Sequence, residues 1–230
     1  MKKLVLFLFP LYIHAQDVSI GQWKNYLSYA SASHIAETND KIYCVASEGL
    51  FFVKKEDYTI NRLCKITGLS DVGVQQVAHS NELNSTIVTY KNCNIDIITS
   101  TAIINISDIK RKEIAGNKKI NNITINSNIA YLSCPFGIVL VDLVKKEIKD
   151  TYYVGDELTL YEINGCAFIG DSIIVATNQG LFFANKNSQN LSDYNNWSVY
   201  SENTNEETYD NIVSTENQLY GDYSLETISV

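Results

Sequence analysis

Few residues of this sequence have the type and spacing that acid–base or metal chemistry needs. Beyond residue 15 the only histidines are His34 and His79, and neither has a metal-ligating residue at i+2 or i+4. We therefore expect both to be ordinary surface or strand-edge residues, and we predict no metal site and no catalytic residue. Two acids, Asp96 and Asp142, lie inside strong strand patterns. They could face a central channel, where two carboxylates about 5–10 Å apart could hydrolyse glycosidic bonds, or lie on a solvated sheet face.

Five cysteines are spaced too widely to form a zinc or redox motif. The intervals between them are 20, 29, 41 and 32 residues, and no C-x-x-C occurs. Because several lie in or beside apolar strand patterns, we interpret them as small buried hydrophobic side chains. Disulfides stay open as an alternative for an exported chain, although the odd number leaves at least one thiol free. The five are Cys44, Cys64, Cys93, Cys134 and Cys166.

The first 15 residues have the organisation of a secretory signal peptide. Lys2 and Lys3 precede the apolar run 4–13, and Ala15 offers a small residue for cleavage. The apolar run is shorter than the roughly 20 residues that a transmembrane helix needs. We expect an exported protein, in the periplasm or at the outer-membrane cell surface, with no transmembrane segment.

The charge of the chain argues against nucleic acid as a ligand. The formal net charge is −8 and the isoelectric point about 4.9, so the protein has no cationic field that could displace phosphate counterions. Arg62 and Arg111 are the only arginines, which also weakens any site built on bidentate phosphate or carboxylate clamps.

Four segments repeat one pattern of apolar residues, a short polar turn and further apolar residues. They read KIYCVASEGLFFV, STIVTYKNCNIDII, IAYLSCPFGIVLV and SIIVATNQGLFFA, with turn positions at Gly49, Cys93, Gly137 and Gly180. The intervals of 44, 44 and 43 residues are typical of β-propeller blades, which repeat about every 40–50 residues. The sequence predicts an all-β fold, a β-propeller of about four blades and part of a fifth, as a partial domain over residues 16–230 truncated from a larger propeller. The blades are expected at about residues 34–77, 77–120, 120–160 and 161–203, with the remainder incomplete.

Two segments of the second repeat depart from the common pattern. Cys93 stands where the other repeats have Gly, so we expect Asn92 or Asn94 to adopt the left-handed turn conformation instead. The charged segment 107–119 shows no helical periodicity, and we interpret it as a strand end followed by a loop.

Aromatic residues are expected mainly in the core. The pairs Phe51–Phe52 and Phe182–Phe183 occupy matched positions of two repeats. Adjacent residues of a strand point to opposite faces, so one of each pair should pack between blades and the other should face the next sheet. Trp197 and Tyr200 lie beside a polar loop and are the better candidates for ligand contact.

Eight short motifs follow one another in an order that points to one family. They are WKNYLSY (23–29), IYC (42–44), KITGLSD (65–71), NIDII (94–98), ISDIK (106–110), AYL (130–132), FGIVLVDL (136–143) and EIKDTY (147–152). Together they resemble the N-terminal β-propeller of PorZ-type components of the Bacteroidota type IX secretion system. The likeness extends over about residues 20–200. The GLSD turn alone is weak evidence because regulator propellers of hybrid sensor kinases share it, whereas the ordered set is more specific.

The resemblance implies a non-enzymatic cell-surface component without a cofactor. The implied partners are the sortase-like protease PorU with PorV and PorQ, which remove the C-terminal signal of cargo proteins and join the cargo to anionic lipopolysaccharide. The implied role is to engage that lipopolysaccharide and support the sortase. Full members have two propellers and a C-terminal domain, so this sequence departs from them by stopping within the first propeller. No family motif assigns binding residues in this region.

Two alternatives stay open at this point. A periplasmic sensory propeller of a two-component regulator would be followed by a membrane helix and a kinase domain. A propeller glycoside hydrolase would need a pair of acids lining the channel.

Overall fold

The computed structural model describes residues 29–114, 116–156, 159–200, 208–215 and 218–224. The expected signal peptide and residues 201–203 of the expected fourth blade lie outside the described residues. The described chain forms four four-stranded antiparallel sheets and one two-stranded sheet, which we call blades 1 to 5 in chain order.

Within each of the first four blades the strands are neighbours in chain order and pair through hairpins. Blade 1 contains β1 (Ala32–Glu37), β2 (Lys41–Ala46), β3 (Gly49–Lys54) and β4 (Ile60–Leu63). Blade 2 contains β5 (Val74–Ser80), β6 (Ser85–Tyr90), β7 (Ile95–Ile98) and β8 (Ile103–Ile106). Blade 3 contains β9 (Asn122–Asn126), β10 (Ile129–Cys134), β11 (Gly137–Asp142) and β12 (Glu147–Tyr152). Blade 4 contains β13 (Ile163–Ile169), β14 (Ser172–Thr177), β15 (Gly180–Asn185) and β16 (Ser198–Val199), and blade 5 contains β17 (Thr208–Thr215) and β18 (Gln218–Ser224).

The first strand of each blade lies beside the first strand of the next blade. Contacts join β1 to β5, β5 to β9, β9 to β13 and β13 to β17. The first strands are therefore innermost and the fourth strands outermost around a common axis, which is the arrangement of propeller blades. The predicted fold class, an all-β partial propeller, is confirmed.

The core lies between consecutive blades. Blades 2 to 4 are covered on both faces by their neighbours, so their middle strands are largely buried, and β6 and β11 are buried along their whole length. Representative packing partners are Leu50 and Tyr90 between blades 1 and 2, Ile97 and Leu132 between blades 2 and 3, Ile138 and Ile173 between blades 3 and 4, and Ile174 and Ile212 between blades 4 and 5.

The two Phe pairs point to opposite faces of their blades, as predicted. Phe52 packs toward blade 2, whereas Phe51 meets the ring of Tyr29 edge-on at a centroid distance of 6.0 Å. Phe182 packs into the cluster between blades 3 and 4, and Phe183 into the cluster between blades 4 and 5. The pair in blade 4 therefore contributes to two interblade cores, whereas the pair in blade 1 contributes Phe52 to one core and Phe51 to a contact with Tyr29.

Side-chain amides on or beside the innermost strands tie blades 2 to 5 together. The amide nitrogen of Gln76 donates to the carbonyl of Asn121 at 2.5 Å, that of Asn121 to Ile163 at 2.9 Å, and that of Asn164 to Tyr209 at 2.7 Å. Each bond satisfies a backbone acceptor in the following blade. These amides were missed in the sequence, although they recur after 45 and 43 residues, close to the blade period.

The turn prediction for the second repeat is wrong. Cys93 itself has a φ of 60°, and neither neighbouring Asn adopts a positive φ. The physical reason is that both Asn side chains are engaged, because Asn92 and Asn94 donate to Asp71 at 2.7 and 3.3 Å. The Cys93 side chain is fully buried between blades 2 and 3, so the strained turn places a small apolar group in the core.

The other three turn positions differ in backbone conformation. Gly137 and Gly180 have φ values of 135° and 108°, which favour glycine. In blade 1 the positive φ values belong to residues 47–48, and Gly49 follows them. A Cβ on Gly49 would lie 2.7 Å from the ring of Tyr29, so this glycine is needed for close packing.

The segment 107–119 contains a short helix that we did not expect. Helix α1 (Asp108–Arg111) buries Ile109 in the core between blades 2 and 3. Asp108 at its start and Arg111 at its end complement the helix dipole. One helical turn is too short to produce a visible periodicity in the sequence, and the tertiary contact of Ile109 selects the conformation.

Candidate interaction surfaces

Asp96 is a buried structural acid in blade 2. Its side chain is fully buried and accepts hydrogen bonds from the Ser70 amide at 2.8 Å, the Tyr90 hydroxyl at 2.5 Å and the Asn105 amide group at 2.9 Å. It therefore lies neither on a solvated sheet face nor in an open channel. The acid anchors the connection between blades 1 and 2 onto blade 2.

Asp142 shapes a turn in blade 3. It ends β11 and accepts hydrogen bonds from the backbone amides of Lys145 and Val144, both at 2.9 Å. These bonds lower the pKa of Asp142, because they stabilise the ionised form. The two predicted acids thus hold local structure in different blades, and this arrangement gives the glycosidase alternative no support.

The histidines occupy neighbouring innermost strands without forming a reactive group. His34 is exposed on β1, and the Nδ1 atom of His79 lies 2.9 Å from the Thr86 hydroxyl. Burial lowers the pKa of His79. Within the described ranges, no cluster of three or more His, Cys, Asp and Glu side chains is arranged to hold a metal ion.

The cysteines are mainly buried hydrophobic groups, as interpreted from the sequence. Cys44, Cys93, Cys134 and Cys166 are buried, and Cys64 is half-buried. Burial raises the pKa of the Cys134 thiol and raises that of Cys166 to about 11, so both are poor nucleophiles at neutral pH. No disulfide joins the cysteines in the described part of the chain.

The aromatic pair proposed for ligand contact is packed instead. Trp197 is 7% exposed, donates from its indole nitrogen to the carbonyl of Leu191 at 3.1 Å and packs against Tyr152. Tyr200 meets the ring of Phe183 edge-on. The polar loop before Trp197 folds over the ring, a tertiary contact that the sequence does not show.

A second acid in the same connection holds α1 against blade 2. One oxygen of Asp71 accepts from the Lys110 ammonium at 2.6 Å and from the Asn92 amide group at 2.7 Å, and the other accepts from the Val72 amide at 3.0 Å. Burial raises the pKa of Asp71, but the bonds from Lys110, Asn92 and Val72 outweigh it and hold the pKa at about 2, below the ordinary 3.8.

This depressed pKa predicts a loss of stability in acid that Asp71 controls. The ionised carboxylate is favoured in the folded state, so its contribution is complete above the ordinary pKa of 3.8 and is lost as the pH falls toward 2. We expect this contribution to be about 2 kcal/mol. Urea unfolding at about pH 5 and about pH 2 should show a smaller difference for Asp71→Asn than for the wild type. Equal differences would contradict the assignment.

An apolar groove lies between α1 and the outer part of blade 3. Its volume is about 590 Å³. The apolar lining residues include Ile109, Ile114, Phe136, Val139, Ile148 and Leu160. A smaller polar pocket of about 200 Å³ lies between blades 1 and 2 and is lined by residues such as Asp40, Tyr43, His79 and Thr86. The larger groove has the size of a typical ligand-binding site, about 300–1,000 Å³.

No helix in the described part of the chain is long and apolar enough to cross a membrane.

A family model for the N-terminal β-propeller domain of PorZ, of the type IX secretion system, matches residues 42–198. A comparison with curated proteins finds no match.

Several solved structures share the fold. PorZ from Porphyromonas gingivalis, described as an essential bacterial surface component of the type-IX secretion system, is 25% identical with a TM-score of 0.76 over 85% of this chain and 26% of that chain. The extracellular domain of a hybrid two component system from B. thetaiotaomicron is 13% identical with a TM-score of 0.62 over 83% of this chain and 26% of that chain. AztD from Citrobacter koseri, in its apo form, is 14% identical with a TM-score of 0.51 over 68% and 45% of the respective chains. The likeness to the two component system domain and to AztD shows the fold alone. This chain spans about a quarter of the length of the PorZ structure.

Proposed function

Since the chain belongs to the family of the PorZ N-terminal β-propeller domain, we propose that it is the propeller part of a non-enzymatic type IX secretion component that acts as an interaction module at the cell surface. The observation that carries this proposal is the family match over residues 42–198. The likeness to PorZ from Porphyromonas gingivalis supports it.

The finer role that we propose is support for the sortase-like protease PorU, together with PorV and PorQ, in attaching cargo to anionic lipopolysaccharide. The physical support is a scaffold in which the acids and thiols that could take part in chemistry stabilise the fold instead. Asp96, Asp142 and the buried thiols are all committed to hydrogen bonds or packing. Stacked blades present loops on two broad faces, which suits a protein that positions partners. Export by the segment 1–15 would place it with these partners.

The sensory alternative gains no functional support. The likeness to the extracellular domain of a two component system is at 13% identity and therefore concerns the fold. The domains that accompany this propeller in the complete gene distinguish the two functions. A membrane helix and kinase domain would support a sensor, whereas a second propeller would support the secretion component.

The proposed function is tested in the native bacterium with the complete gene product. We expect affinity-tagged protein to co-purify PorU, and we expect deletion of residues 29–224 to leave cargo with its C-terminal signal uncleaved and released from the surface. An unrelated tagged exported protein is the control for co-purification. Normal cargo attachment in the deletion strain, at a normal level of PorU, would contradict the proposal.

A further inference from the structure

We propose that residues 16–28 of this chain bind on the side of blade 1 that points away from blade 2, which we call the outward face, and cover its outer strands β3 and β4. Residues 16–28 lie outside the described residues. The inference does not depend on the secretion role. Three observations carry it: exposed apolar side chains on the outward face, the packing of the matched face of blade 2, and the position of Tyr29.

The outward face of blade 1 carries a row of apolar side chains in contact with water. Leu50 and Phe52 of β3 pack toward blade 2, and adjacent strand residues point to opposite faces, so Val53 points outward. Val53 pairs with Ile42 of β2 on one side and with Ile60 of β4 on the other. Ile42 is 37% exposed and Ile60 is 66% exposed. A segment that covers this row removes apolar surface from water and is stabilised by doing so.

The matched residues of blade 2 are packed against a neighbouring layer. Ile98 and Ile103 form the last pair of β7 and β8, as Val53 and Ile60 do in β3 and β4. Both Ile98 and Ile103 are half-buried and pack against the core between blades 1 and 2. Blade 1 thus covers this part of blade 2. The repeat gives blade 1 a face of the same kind, and we infer that it too is covered.

Tyr29 shows where the preceding chain meets the outward face. Its ring meets the ring of Phe51 edge-on, and the guanidinium carbon of Arg62 lies 4.9 Å from its centroid. Phe51 and Arg62 pair with each other in β3 and β4 and form the outward row next to the row of Val53. Because residue 28 is bonded directly to Tyr29, the segment 16–28 begins over the outer strands of blade 1.

The segment has the length and the composition to cover the open row. It reads QDVSIGQWKNYLS, with five apolar or aromatic residues, one acid and one Lys, so it carries no net charge. An extended chain rises about 3.3 Å per residue, and these thirteen residues exceed the six-residue length of β3. A tethered neutral segment is favoured over a second copy of the chain, because two copies with a net charge of −8 each repel one another.

Limited proteolysis tests the inference through Lys24. It is the only Lys or Arg between residues 4 and 40, so tryptic cleavage after Lys24 reports on this segment alone, and mass spectrometry follows the released peptide. The exported full-length protein is compared with Ile60→Asp, which places a charge beneath the segment. The matched control is Val199→Asp, because Val199 is 59% exposed in β16, the outermost strand of blade 4. Circular dichroism checks that each variant is folded.

We expect slow cleavage after Lys24 in the wild type and in Val199→Asp. The rate should be about tenfold higher in Ile60→Asp, because a charge buried beneath apolar side chains favours detachment of the segment. If the segment does not cover Ile60, a charge at this exposed position has no effect on Lys24. Equal cleavage rates in the three proteins would therefore overturn the inference.

A photo-cross-link identifies the occupant independently of the Asp variant. The full-length protein carries benzoylphenylalanine at position 60, and mass spectrometry identifies the residues joined to it after irradiation. We expect them to lie within residues 16–28 of the same molecule. A covalent dimer would assign the face to a second copy, and a link to another part of the full-length protein would assign it to another blade or domain. Either result, or no cross-link, would overturn the inference.

Discussion

Replacing Asp96 by Ala is expected to lower the free energy of unfolding by about 3–5 kcal/mol. Three donors, the Ser70 amide, the Tyr90 hydroxyl and the Asn105 amide group, converge on this one buried carboxylate. The substitution leaves the Ser70 amide and the Tyr90 hydroxyl without this acceptor in a site where Asp96 and Tyr90 are fully buried, whereas the Asn105 amide group still donates to Asn94 and to the carbonyl of Ile95. Each unsatisfied buried group costs about 1–3 kcal/mol.

Urea unfolding of the chain measures this loss, and two further variants show its cause. Asp96→Leu fills a similar volume but accepts no hydrogen bond, so we expect it to be about as unstable as Asp96→Ala. Asp171→Ala removes an acid that is 72% exposed and paired with Lys186, and it should cost less than about 1 kcal/mol. If Asp96→Leu matched the wild type, packing rather than hydrogen bonding would account for the site.

The fold could be predicted because the same physical constraint acts on every blade. The middle strands of blades 2 to 4 are covered on both faces, so the largely buried strands 85–90, 129–134 and 172–177 follow one another at intervals of 44 and 43 residues. This periodicity can be read from the sequence without knowing which residues are in contact. The outermost strands are weaker signals, because β4 and β12 are covered on one side only and β16 contains two residues.

The structural sites could not be predicted in the same way, because their partners come from distant parts of the chain. The strand pattern places Asp96 in β7, but its donors lie at positions 70, 90 and 105. The groove depends on the bulge at Lys149 and on α1, and neither interrupts the apolar pattern clearly enough to be read. By contrast, the amide ladder through Gln76, Asn121 and Asn164 has a regular spacing and could have been found.

Replacing Gly137 by Ala is expected to destabilise the chain by about 3 kcal/mol or more. Gly137 has a φ of 135°, and a Cβ there would overlap the backbone carbonyl oxygen of Tyr152. The carbonyl belongs to the outer strand of the same blade, so relief of the overlap would require β11 and β12 to separate. Backbone strain and steric overlap therefore add at this position.

The matched position in blade 4 separates these two costs. Gly180 has a φ of 108°, but a Cβ there would meet no atom within 4 Å, so Gly180→Ala carries the backbone strain alone, about 1–2 kcal/mol. The measurement is the difference between the two unfolding free energies. If Gly137→Ala and Gly180→Ala are equally unstable, backbone conformation alone decides the cost, and the repeat keeps glycine at this turn for its φ. A larger loss at Gly137 shows that blade 3 also needs glycine because its outer strand crosses the turn at contact distance.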